Sequence, residues 1–65
     1  MAYITRLSHF RFEKSGDELV VTSEHDESFE SRHDWPEDLS MQDERLVSEL
    51  HERYYNTARR AYMNQ

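Results

Sequence analysis

Seven carboxylates crowd into residues 24 to 38 of this chain: Glu24, Asp26, Glu27, Glu30, Asp34, Glu37 and Asp38. Side chains of this type could serve as a general acid and base, or they could stand together as an array of negative charge. The first role needs a cleft that drives two pKa values apart, which a chain of 65 residues can hardly build alone. No Gly-rich phosphate loop, G-x-S-x-G turn or cysteine nucleophile accompanies them, so catalysis is not expected and no cofactor is implied. The second role is a docking surface for a basic protein. In its sharper form the carboxylates imitate phosphates, because lysine and arginine side chains that grip phosphate also grip carboxylate. The same charge would also serve solubility alone.

Phe29 and Trp35 lie inside the acidic stretch, and aromatic rings surrounded by charge have the composition of an interface anchor. Either ring could instead complete the chain's own core, and Trp35 is expected to dock there and pin the segment. The partner-binding set is therefore Glu24, Asp26, Glu27, Phe29, Glu30, Asp34, Trp35, Glu37 and Asp38. A second candidate surface is the row His51, Tyr55 and Tyr62, which share one flank of a helical projection. Tyrosine is enriched at interfaces, and this row would join two copies of the chain or seat it as an accessory subunit.

Four histidines are present, but there is no cysteine and no His-x3-His pair, so no metal site is expected. Direct nucleic-acid binding is not expected either. Arg6, Arg11, Arg53, Arg59 and Arg60 are few, and Glu44, Glu49 and Glu52 stand among those on the helix.

The elements that must position these groups follow from periodicity. Residues 3 to 13 alternate and read as a strand, with Ile4, Phe10 and Phe12 on one side and Tyr3, Leu7 and His9 on the other. The only glycine, Gly16, precedes Leu19-Val20-Val21-Thr22, which predicts a hairpin over 3–23. With Val20 and Val21 both apolar, the buried face of the second strand stays open. Residues 24–38 read as an acidic loop, with a short third strand near 28–33 left undecided. Ser40 is the expected cap of a helix over 41–62, whose apolar stripe is Leu46, Val47, Leu50, Tyr54, Ala58 and Ala61. The fold class is α+β: a two- or three-stranded antiparallel sheet packed against one long C-terminal amphipathic helix, in one domain.

Charge is unevenly placed along this frame. The chain carries a net charge of -6, yet residues 1–12 hold +2 and residues 39–65 balance to zero. In residues 13–38 ten carboxylates against Lys14 and Arg32 leave -8. Such a segment repels phosphate and speeds encounter with basic protein surfaces. A chain this short buries only about 60% of its unfolded surface, so a partner or a second copy would help to stabilise it. No apolar run is long enough to span a bilayer, and neither a signal sequence nor cysteine is present; cytoplasm is the default expectation.

In size, acidity, lack of cysteine and sheet-plus-helix plan, the chain resembles the small host-takeover proteins of bacteriophages, including anti-CRISPR proteins and other inhibitors of nucleic-acid machinery. The resemblance is one of composition, so it transfers no residue roles. It implies an inhibitor or adaptor that acts on a nucleic-acid-binding host protein.

Overall fold

The computed structural model describes residues 2–64, and in it the chain divides into two compact units at Trp35/Pro36. The first unit is a four-stranded antiparallel sheet in the order β1-β2-β3-β4, formed by Ala2–Leu7, Phe10–Ser15, Glu18–Ser23 and Glu30–Asp34. The second holds one helix, α1, over Leu46–Met63. The class is α+β, with more strands than the sequence pattern indicates.

The extra strands arise at two places. The run read as one strand over 3–13 folds back on itself at Ser8-His9, so that Leu7 pairs directly with Phe10. Both turn residues have left-handed backbone, with φ of 49° and 75°. That is the signature of a type I′ turn, whose twist matches a hairpin but whose usual residues are Asn and Gly. Neither stands here, which is why the alternation reads as unbroken. The fold-back also moves Leu7 onto the face of Phe10 and Phe12. In β1, Ile4 is the extra residue of a bulge between the Tyr3–Glu13 and Thr5–Phe12 pairs.

The second hairpin turns at Gly16-Asp17, closed by the Ser15–Glu18 pair. Gly16 alone has positive φ, 60°, the type II′ pattern in which glycine takes the first central position. Register then settles the ambiguity at Val20 and Val21. Val21 faces with Phe12, its direct partner, and Leu19 with it, whereas Val20 lies on the opposite face between Glu13 and Arg32. All three apolar residues of β3 are fully buried. Long charged side chains shield an apolar neighbour with their methylene stems, which accounts for a buried valine on the polar face. The core of this unit is Phe10, Phe12, Leu19, Val21 and Phe29, with the Phe10 and Phe29 rings 6.0 Å apart and tilted.

β4 occupies the middle of the acidic segment 24–38, where the sequence pattern leaves a short third strand near 28–33 undecided against a loop, and it runs over Glu30–Asp34. Its residues, Glu-Ser-Arg-His-Asp, are polar on both faces and carry almost no β-propensity, so only pairing with β3 makes them a strand. Beyond it, the Trp35 N–H donates to the Asp17 carbonyl at 2.8 Å.

In the second unit the helix starts five residues later than expected, and Ser40 does not cap it. Residues 36–46 form successive tight turns instead, with the N–H of Leu39 donating to the Pro36 carbonyl, Asp43 to Ser40 and Leu46 to Asp43. Asp43 Oδ1 accepts the Arg45 N–H at 2.8 Å, a side-chain bond that competes with helical pairing and holds the last turn. The first helical bond runs from Glu49 N–H to the Arg45 carbonyl at 2.9 Å. The buried stripe is Leu46, Leu50 and Ala58, with Tyr54 half-buried, while Val47 and Ala61 are exposed. Four-residue spacing makes this row narrower than the six-residue stripe of the sequence projection. No helix among the described residues is long and apolar enough to cross a membrane.

Arg53 ties the turns to the helix. Its two terminal nitrogens donate to the two carboxylate oxygens of Asp38 at 3.0 and 2.7 Å, and its Nε donates to Glu49 at 3.2 Å. The hydrogen bonds from Arg53 hold the Asp38 carboxyl below its ordinary range.

Two outcomes follow. Replacing Ser8-His9 by Asn-Gly removes left-handed strain worth roughly 1 kcal/mol per residue, and Gly16→Ala introduces it at a site where the new methyl meets nothing within 4 Å. The first change should raise the thermal midpoint by several degrees and the second lower it, with D-alanine at position 16 restoring it. Asp38→Asn should lower the midpoint by a few degrees near neutral pH. Because the folded-state carboxyl is depressed, that difference persists at mildly acidic pH and closes only below the ordinary aspartate pKa of about 3.9, as melting curves across pH would register.

Candidate functional site

The acidic residues of segment 24–38 are held in ordered backbone, but the fold distributes them. Glu24 follows β3 and pairs with Arg6 at 3.1 Å. Asp26 builds the next turn: its Oδ1 accepts both the Ser28 N–H at 3.0 Å and the Ser28 hydroxyl at 2.6 Å. Glu27 is exposed at the tip of that turn. Glu30 opens β4 and Asp34 closes it, separated by about 13 Å of extended strand. Glu37 and Asp38 belong to the second unit, where Asp38 is clasped by Arg53.

The two aromatic candidates have different fates. Phe29 is only 6% exposed, against Phe10, which leaves too little of its ring to anchor a partner. The thin core takes it, since burying one phenylalanine contributes roughly 1.5–3 kcal/mol. Trp35 is half-buried, and the Lys14 ammonium lies 5.3 Å from its ring centre.

What the register brings together differs from what the chain order suggests. Cross-strand pairing sets three rows on the polar face of the sheet: Arg6, Arg11, Thr22 and Glu30; Tyr3, Glu13, Val20 and Arg32; Ser15, Glu18 and Asp34. Positive charge gathers on β1 and β2, where the Arg11 guanidinium stands 5.8 Å from the Tyr3 ring centre. Negative charge gathers towards β4 and the Gly16 turn, where Glu18 pairs across to Asp34 beside Asp17, and Arg32 lies in the next row between that pair and Glu30. Arg32 reaches Glu30 at 3.2 Å and Glu18 at 3.5 Å, and its pKa is raised chiefly by the hydrogen bond to Glu30. Glu13, Asp17 and Glu18 were not among the sequence candidates. Counting neighbours across the hairpins, and not along the chain, is the signal that finds them.

Glu18, Glu24, Glu30, Asp38, Asp43 and Glu49 lie within ion-pair distance of the chain's own arginines. Among the described residues, Glu13, Asp17, Glu27, Asp34, Glu37, Glu44 and Glu52 pair with no cation. Asp43 is held below its ordinary range first by the Arg45 N–H and then by the Arg45 guanidinium.

On the helix, His51 is exposed and stacks on half-buried Tyr55, ring centres 4.8 Å apart and tilted by 30°. Tyr62, half-buried, continues the same flank about two turns beyond. Asn56, Arg59, Arg60, Met63 and Asn64 line an open groove on one side of α1.

The histidines separate as well. His25 meets His9, with ring centres 4.4 Å apart, whereas His33 lies in β4 with its Nε2 2.9 Å from the Ser31 hydroxyl. Among the described residues no three His, Asp or Glu side chains converge as a metal centre. No family model, curated protein or solved structure matches this chain.

Proposed function

We propose that the chain is a non-catalytic protein-binding module, an inhibitor or adaptor that offers its carboxylates to a basic surface of a nucleic-acid-binding protein. One observation carries the reading: on one face of a paired sheet the unpaired acids Asp17 and Asp34 stand with Glu18 at the Gly16-turn end, and unpaired Glu13 and then Glu30 follow in the next two rows. Charges fixed to a rigid scaffold keep their spacing when a partner arrives, so less ordering is lost on binding than with a loose acidic tail. The Glu18–Asp34 pair sets two carboxylates on adjacent strands, about 4.8 Å apart, as neighbouring acceptors for lysine and arginine side chains that also grip phosphate. The site differs from the linear segment: Asp26 serves the turn, Phe29 the core and Asp38 the helix, leaving Glu27 and Glu37 outside it.

The test is capture of nucleic-acid-binding proteins from a host lysate at about 50 mM salt, against about 300 mM salt where exposed charges are screened. Wild type should retain such proteins at low salt, release them at high salt and lose them to added duplex DNA. The variant Glu13→Lys/Asp34→Lys should bind at least about tenfold more weakly, because each site then repels a basic surface. Glu27→Lys should differ little. Capture indifferent to both salt and the paired reversal would overturn the proposal.

A second reading has the His51–Tyr55 stack in its favour: two rings already in contact offer a flat, preformed patch to another copy. Sedimentation over a range of concentrations separates it from the first. A dimer that dissociates in Tyr55→Arg and ignores salt would support this seam, and a monomer at every concentration removes it.

A further inference from the structure

We propose that His9 and His25 form a two-imidazole site for a borderline divalent transition metal ion of the zinc or nickel class. The pair is assembled by backbone bonds from distant parts of the chain. The Glu24 N–H donates to the His9 carbonyl at 2.9 Å, extending the β2–β3 ladder by one step past the Phe10–Ser23 pair. The His25 N–H then donates to Ser23 Oγ at 3.1 Å, which turns the chain so that the second ring returns over the first. The Ser23 that makes this bond is 8% exposed, so the anchor of the turn is fixed in the interior.

The ring geometry suits a shared ion. Two imidazoles bound to one metal by bonds of about 2.0–2.1 Å have ring centres roughly 5 Å apart. Here the separation is 4.4 Å with the rings tilted by 56°, so a small rotation about either side-chain bond opens room for an ion. Both side chains are exposed, leaving the remaining coordination positions to water. Glu27, two residues beyond His25, pairs with no cation, and the net charge of -6 offsets at long range the Arg6 and Arg11 charges on the strands that His9 joins. His9 sits at φ 75°, in the left-handed region where histidine, like Asn and Asp, is among the commoner non-glycine residues.

Imidazole nitrogen selects zinc, nickel and copper over calcium and magnesium, which prefer oxygen. That contrast separates this site from diffuse attraction to the carboxylates. The experiment is a calorimetric titration of the full chain with Zn²⁺ and with Ni²⁺, paired with NMR of the histidine ring signals. Saturable binding should appear, with the His9 and His25 rings perturbed and those of His33 and His51 unchanged. His9→Asn, which keeps the turn, and His25→Asn should each weaken it by more than about tenfold, as loss of half the protein ligands demands. An excess of Ca²⁺ should not compete. Absence of saturable binding, a smaller loss in a variant whose melting curve shows it folded, or equal displacement by Ca²⁺ overturns the proposal; should His9→Asn fail to fold, His25→Asn decides alone.

Discussion

A hairpin closed by only two residues has no freedom of register, and this protein closes two in succession. The Ser8-His9 and Gly16-Asp17 turns fix Leu7 opposite Phe10 and Ser15 opposite Glu18. The facing of β2 and β3 follows, because side chains alternate with a period of two and a slip of one residue would exchange the faces. With that register, Phe10, Phe12, Leu19 and Val21 share one face, joined at its end by Lys14, and Arg11, Glu13, Glu18, Glu30, Arg32 and Asp34 share the other. The left-handed backbone at Ser8, His9 and Gly16 is the local cost of that constraint.

Charge is organised around the arginines. Arg6, Arg32, Arg45 and Arg53 each reach a carboxylate of their own chain, and two of them reach two. Exposed pairs of this kind add little stability singly. Their larger effect is to decide which carboxylates remain available. The Asp38–Arg53 fork draws Asp38 into the turns before α1, and Arg32 stands at the centre of the acidic group on the sheet. The net -6 is consequently expressed where no arginine reaches, at Asp17, Glu27, Asp34 and Glu37 among others.

Polar side chains also act as backbone partners, and this explains the segments where propensity misleads. Asp26 closes the turn before β4 through Ser28, Ser23 receives the His25 N–H, and Asp43 receives the Arg45 N–H ahead of α1. Ser, Asp and Asn compete for backbone groups in this way wherever the chain bends. In residues 23–45 such bonds, together with β3 pairing, give order to a stretch whose composition resembles a solvated loop.

By itself the sequence determined the elements whose signal is local: the Gly16 hairpin from its glycine and flanking β-branched run, the amphipathic helix from its 3.6-residue period, and the α+β class from both. It also determined the excess charge of residues 13–38, whereas Trp35, expected to dock on the core, is half-buried and not among the buried core residues. The tertiary structure alone decided the Ser8-His9 fold-back, β4, the late start of α1 and the burial of Phe29, since each rests on partners distant in sequence or on a turn without its usual residues. The candidate surface divides in the same way. Its charge was legible because charge is additive along a chain, whereas its membership was not, because strand pairing sets Glu18 opposite Asp34 and leaves Asp26 and Asp38 to other tasks.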